Sequence, residues 1–142
     1  MASTSEQLHL EVATPLGLAL STAAESVTAP SVRGEFGVLP GHLPLLAALK
    51  SGVLRYRADG KDHVAAIGAG FVEAGPQKVL VLTDKFTKPE DVDQTATRSE
   101  LADAEKKLAA FPDQYDGPDY DVLQLAIDWA QAKLDAYAES QR

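Results

Sequence analysis

The chain contains no cysteine, which removes disulfides, thiolate metal sites and thiol catalysis together. Its stability is therefore expected to rest on packing and hydrogen bonds, a composition suited to a reducing compartment. Long apolar runs are missing as well: no stretch reaches the roughly 18 uncharged apolar residues of a spanning helix. The opening Met1-Ala2-Ser3-Thr4-Ser5-Glu6 has neither a basic start nor an apolar core, so no targeting signal is expected there. Histidine is scarce, and His9, His42 and His63 show no recognisable metal-ligand spacing. No nucleophile elbow, Lys-Ser/Thr phosphate loop or dinucleotide fingerprint occurs. Gly68-Ala69-Gly70 precedes a strand-like segment, whereas a phosphate cradle needs a helix N-terminus.

Excess positive charge is also absent. The net charge is −8, with seven Lys/Arg against eight Asp/Glu in residues 1–87 and six against thirteen in residues 88–142. A surface of that sign repels phosphate backbones and anionic lipid headgroups, so neither nucleic acid nor direct membrane insertion is expected. The carboxylates of residues 90–121 read as a solvated helical face and not as a general acid/base pair.

What is present falls into two textures. With 142 residues and 45% hydrophobic content, the chain can bury one core, or one core and a small appendage leaning on it. From Leu8 to Asp84 short apolar runs alternate with turn residues, the pattern of an antiparallel β-sandwich. Leu8, Leu10 and Val12 alternate with His9, Glu11 and Ala13, and Thr14-Pro15-Leu16-Gly17 supplies a turn. Strands are expected over Leu16–Thr22, Glu25–Ala29, Val53–Arg57, His63–Ile67, Phe71–Ala74 and Lys78–Asp84, with Pro30–Gly34 as loop. Asp59-Gly60 provides the positive backbone angles of a tight hairpin. The continuous apolar centre of Lys78–Asp84 predicts a strand covered on both faces.

At Thr87-Lys88-Pro89-Glu90 the pattern changes to that of a capping box and a helix start, so the boundary is placed between residues 87 and 88. Leu101, Ala104, Leu108 and Phe111 then recur at helical steps until Pro112 stops them. After the linker Pro112–Pro118, Asp119 and Asp121 can cap and charge a second helix with the stripe Leu123, Ile127, Ala130, Leu134 and Tyr137. Leu125, Trp129, Ala132 and Ala136 widen that stripe, so the second helix is expected to pack on its partner helix and on something else. The whole reads as a C-terminal antiparallel two-helix hairpin, the more loosely held half.

Between Gly34 and Leu46, three glycines and two prolines fall within thirteen residues. Gly34, Gly37 and Gly41 permit unusual backbone angles, while Pro40 and Pro44 fix theirs and remove ladder donors. A steered loop with Glu35 and His42 at its ends suits docking better than catalysis. Residue chemistry alone leaves its partner open, and a corner with no partner remains an alternative. Two others are a small metalloenzyme using His9, His42 and His63, and a free-standing scaffold module.

The run Gly34-Glu35-Phe36-Gly37-Val38-Leu39-Pro40-Gly41-His42-Leu43-Pro44-Leu45-Leu46 resembles the epsilon subunits of F-type ATP synthases, called delta in mitochondria. Similarity extends to Leu8–Pro15, Gly52-Val53-Leu54-Arg55, Gly68–Glu73 and Val79–Asp84, and by architecture alone beyond. The resemblance implies a non-catalytic central-stalk subunit without cofactors that couples the gamma subunit to the c ring. It places the protein peripherally, on the cytoplasmic side of a bacterial inner membrane. Glu35, Phe36, Gly37, Val38 and His42 would contact the c ring. Leu101, Leu108, Phe111, Leu123, Ile127, Trp129 and Leu134 would pack the hairpin, through which the catalytic beta subunits are a further implied partner. Some members resemble ATP sensors with an Ile/Leu-Asp-x-x-Arg-Ala motif, but here Val92-Asp93-Gln94-Thr95-Ala96-Thr97 puts Ala96 where Arg should stand. Weak or no ATP binding is therefore expected. Inhibitory members carry a basic second helix, whereas this one sets Lys133 and the terminal Arg142 against Asp128, Asp135 and Glu139, so weak inhibition is expected.

Overall fold

A computed structural model of the protein describes residues 6–112 and 117–142; the expectations for the first five residues and the centre of the linker lie outside these. Ten strands come first: β1 (Leu8–Thr14), β2 (Gly17–Ala24), β3 (Ser26–Ser31), β4 (Gly34–Val38), β5 (Leu45–Leu49), β6 (Gly52–Ala58), β7 (Lys61–Ile67), β8 (Gly70–Ala74), β9 (Lys78–Thr83) and β10 (Phe86–Thr87). A short 3-10 turn at Pro89–Asp91 leads to helices α1 (Gln94–Ala109) and α2 (Pro118–Ser140). The strands form a single sheet in the order β10-β7-β6-β3-β5-β8-β9-β1-β2, with β4 paired to β3. Every pairing is antiparallel except β1 with β9.

Strand alternation builds the core. Leu8, Leu10 and Val12 of β1 face Val79 and Val81 of β9, Val72 of β8 and Leu54 of β6, all buried in one cluster. Each fully buried side chain of this kind contributes about 1.5–3 kcal/mol. The expected hairpin joins β6 to β7, with Asp59 at φ 54° and Gly60 at φ 70°, the pair of positive angles that matches the twist of the flanking strands.

Several expectations are corrected. Pro30–Gly34 is not all loop, because Pro30 and Ser31 end β3 and Gly34 opens β4. The segment from Gly34 to Leu46 is not one loop: Gly34–Val38 pairs with β3 and Leu45–Leu49 with β8, so only residues 39–44 remain irregular. β9 is not covered on both faces, because Leu82 is half exposed beside the half-buried Leu80. The first helix does not begin at Thr87. Pro89 starts a separate 3-10 turn, and Asp93 caps α1 by accepting from the Ala96 amide at 3.0 Å.

The two helices run antiparallel, as cross-contacts in opposite order require: Glu100 meets Lys133 at 3.3 Å and the Phe111 ring meets Tyr120 edge-on at 6.0 Å. Asp119 and Asp121 lie in the first turn of α2, favourable to its dipole, but the cap residue is Gly117 and no side chain caps it. The additional surface against which α2 packs is the outer face of β6 and β7. Ala132 and Ala136 are buried there against Val53 and Ala66, with Val64 and Trp129 alongside.

Candidate functional site: two docking surfaces

The sheet has two outer faces. On the β6–β7 side, α2 covers the outward apolar residues. On the β5-β8-β9-β1-β2 side, the pairing registers align Ala48, Phe71, Leu82, Ala13 and Leu18 into one row across five strands. The described chain leaves its large side chains about half exposed or more: Phe71 is 57% exposed, Leu82 48% and Leu18 60%. The next row holds Leu46, Glu73, Leu80 and Glu11, with Leu46 71% exposed. Exposed large apolar side chains aligned in this way make the face a candidate docking surface. Its polar edge is ordered by Lys78, which bonds Glu11 at 2.7 Å. That hydrogen bond holds the Glu11 carboxyl below its ordinary range against a smaller opposing effect of burial. A groove of about 700 Å³, lined by Pro44, Leu46, Gly75, Pro76 and Lys78, adjoins the same face.

The second surface is the connection between β4 and β5. Gly41 takes φ 85°, which lets its amide donate to the Pro76 carbonyl at 2.7 Å and ties the loop to the β8–β9 turn. The His42 amide donates to the Leu39 carbonyl at 3.1 Å, and its Nδ1 donates to the Leu43 carbonyl at 2.6 Å. The imidazole is thereby used to shape the loop. Leu39 and Leu43 are left largely exposed at the tip.

The five residues expected to contact the c ring do not form one surface. On β4, Phe36 and Val38 pair with the core residues Ala29 and Val27 and point inward, whereas Glu35 and Gly37 point outward. Val38 is only 1% exposed, so packing removes it from any docking surface, and Phe36 is half buried. Glu35 is exposed but bonded to Arg55 of β6. The exposed Leu39 and Leu43 were not among the expected contact residues, although each directly precedes a steering proline.

Among the described residues, no group of three or more His, Asp or Glu could hold a metal ion. His9 lies 3.3 Å from Ser21 on β2, His42 shapes its loop, and His63 stacks on Tyr56 at 5.1 Å, so the three expected ligands of the metalloenzyme alternative stay apart. A cavity of about 730 Å³ at the seam between hairpin and sandwich includes Arg55, Arg57, His63, Lys88 and Glu90. Two of its arginines are already paired, Arg55 with Glu139 at 2.7 Å and Arg57 with Glu25 at 3.3 Å and Asp62 at 2.8 Å. In the hairpin, Leu101, Leu108, Leu123, Ile127, Trp129 and Leu134 are each half buried, and Phe111 lies just past the end of α1.

A sandwich with one face closed by its own helical hairpin and the other left apolar defines a docking module. The beta-sandwich domain of the ATP synthase delta/epsilon chain matches residues 7–89, and the chain belongs to this family. The ATP synthase epsilon chain of Nitratidesulfovibrio vulgaris (strain DP4) is 42% identical over 129 residues, covering 91% of this chain and 94% of the relative. That of Geobacter sp. (strain M21) is 33% identical over 138 residues, covering 97% and 99%. Among solved structures, a chain in the cryo-EM structure of the Euglena gracilis mitochondrial ATP synthase, comprising OSCP, F1 and c-ring, shares the fold. It has a TM-score of 0.78 at 21% identity, over 96% of this chain and 84% of that one.

Proposed function

We propose that the protein is a non-catalytic rotor subunit of an F-type ATP synthase, joining the gamma subunit to the c ring on the cytoplasmic side of a bacterial inner membrane. The observation that carries this reading is the uncovered row Ala48–Phe71–Leu82–Ala13–Leu18. Covering it would bury three large apolar side chains, each worth up to about 1.5–3 kcal/mol, before the losses of association are subtracted. That suits a permanent partner, and gamma is the partner assigned to it. The β4–β5 connection, with Leu39, His42, Leu43 and the outward Glu35, is assigned to the polar loops of the c ring. Residues 1–87 are assigned the coupling role and residues 88–142 a regulatory or vestigial one.

Co-expression with the gamma subunit tests the central assignment. A stable complex is expected, and a chain that elutes alone would overturn it. Replacing Glu35 by Lys should weaken proton-driven synthesis in membranes without unfolding the sandwich; unchanged synthesis removes Glu35 from the coupling surface.

The hairpin is read as a weak sensor and a weak inhibitor. Asp93 of the motif position is engaged as a helix cap, and Lys133, the main cation of α2, is held by Glu100. Calorimetry should show no micromolar ATP binding. Removing residues 88–142 should change hydrolysis by the assembled enzyme by less than about two-fold, an exposed-pair magnitude.

A further inference from the structure

Arg55 stands on the outer face of β6 at the seam between sandwich and hairpin, where two carboxylates reach it from distant parts of the chain. Its Nε donates to Glu139 Oε1 of α2 at 2.7 Å, and its Nη1 donates to Glu35 of β4. The two acids therefore occupy different edges of one guanidinium, whose charged form both of them stabilise, Glu139 more strongly.

Glu139 lies in the last turn of α2, where the helix's own partial negative charge disfavours an acid and no basic residue shares the turn. Its Oε2 is buried without a hydrogen-bond partner among the described residues. The Glu139 side chain is 25% exposed, so it is a partly buried carboxylate whose ion-pair partner is Arg55.

We propose that Arg55 is a shared latch, coupling the docking of the hairpin to the charge available at Glu35. With the hairpin docked, the guanidinium is divided between two carboxylates and holds Glu35 less firmly. With the hairpin released, Arg55 belongs to Glu35 alone. Neutralising Glu35, or engaging it with a partner's cation, therefore tightens the hairpin, and a docked hairpin frees Glu35 for such a cation by the same factor. This goes beyond the rotor reading and does not require it, since the coupling exists within the isolated chain. Lys50, Asp135 and Arg142 line the same crevice, so the coupling is read at physiological ionic strength.

Amide hydrogen exchange over residues 130–138 of the full chain reports hairpin opening even when the open form is rare. Trp129, the single tryptophan, lies at the seam and provides an independent signal. Glu139→Gln should lower protection about two- to five-fold and Glu35→Gln should raise it by a similar factor, the range of a partly exposed pair. In an Arg55→Met background, Glu139→Gln should lower it no further and Glu35→Gln should leave it unchanged. If that variant does not fold, Arg55→Lys keeps the charge without the second edge and should retain less than half of the Glu35→Gln effect. A fall or no change with Glu35→Gln in the parent chain overturns the latch. So does an equal rise in both backgrounds, which would be simple repulsion between the two carboxylates.

Discussion

The two outer faces of the sandwich are made by the same rule and meet different ends. On β6 and β7 the outward Val53, Val64 and Ala66 are closed by Ala132 and Ala136 of α2. On β8 and β9 the outward Phe71 and Leu82 face nothing in the described chain. Apart from Trp129 the side chains at the covered seam are small, so α2 can lie close to the sheet. The open face carries larger residues, which fit a partner that brings its own surface. The difference separates a face that the chain covers for itself from one that the described chain leaves open.

The comparison can be broken most severely at Gly70. Its φ is 156°, and a Cβ there would lie 1.9 Å from the Leu82 carbonyl oxygen, backbone that cannot step aside. Gly70→Ala should destabilise the sandwich by about 4 kcal/mol or more, the diagnostic tail for single substitutions, and denaturant unfolding would register it. Gly68→Ala meets the Asp84 carboxylate, a side chain that can move, and should be the milder of the two. A reversed order would mean that the close β8–β9 approach does not set the face.

The next largest effect should be selective. Ala136 is fully buried at the seam, and Ala136→Asp places a charge there without a partner. Undocking of α2 by about 3 kcal/mol is expected, seen as a red shift of Trp129 emission with the strand signals intact. Loss of the strand signals as well would show that the sandwich relies on its cover. On the open face, Phe71→Asp should leave the isolated chain folded and reduce gamma affinity by about 30-fold, or about 2 kcal/mol, as for an aromatic anchor at an interface. Equal binding would move gamma elsewhere.

Much of this contrast was legible in the residues. Asp59-Gly60 named its own hairpin, and the helical stripes named both helices. The widened stripe with Trp129, Ala132 and Ala136 announced a second contact for α2. The open face was misread because Val79-Leu80-Val81-Leu82 is apolar on both sides, a pattern shared by strands buried within a protein and strands awaiting a partner. The start of α1 was misplaced because Thr87 and Asp93 are both competent cap residues, but Thr87 ends β10 and the Pro89–Asp91 turn intervenes before Asp93 caps α1. The Arg55–Glu139 pair spans 84 residues and has no local pattern at all. In the sequence Glu139 counted only as one more repelling acid.

The smallest effect tests whether the rim of the open face is ordered before any partner arrives. Lys78 reaches Glu11 at 2.7 Å, and their hydrogen bond lowers the Glu11 pKa from its ordinary value of 4.5. The folded state therefore binds a proton at Glu11 less readily than the unfolded chain does. The resulting stability is fully present above pH 4.5 and is lost as pH falls through the lower folded value. Carboxyl NMR should place the Glu11 midpoint below 4.5, and Lys78→Met should return it toward that figure. Because Lys78 is exposed and Glu11 partly so, high salt should move the midpoint in the same direction. A midpoint that ignores both changes would mean that Lys78 and Glu11 are not joined in solution, leaving the apolar row, and not its charged edge, to set the register of the partner.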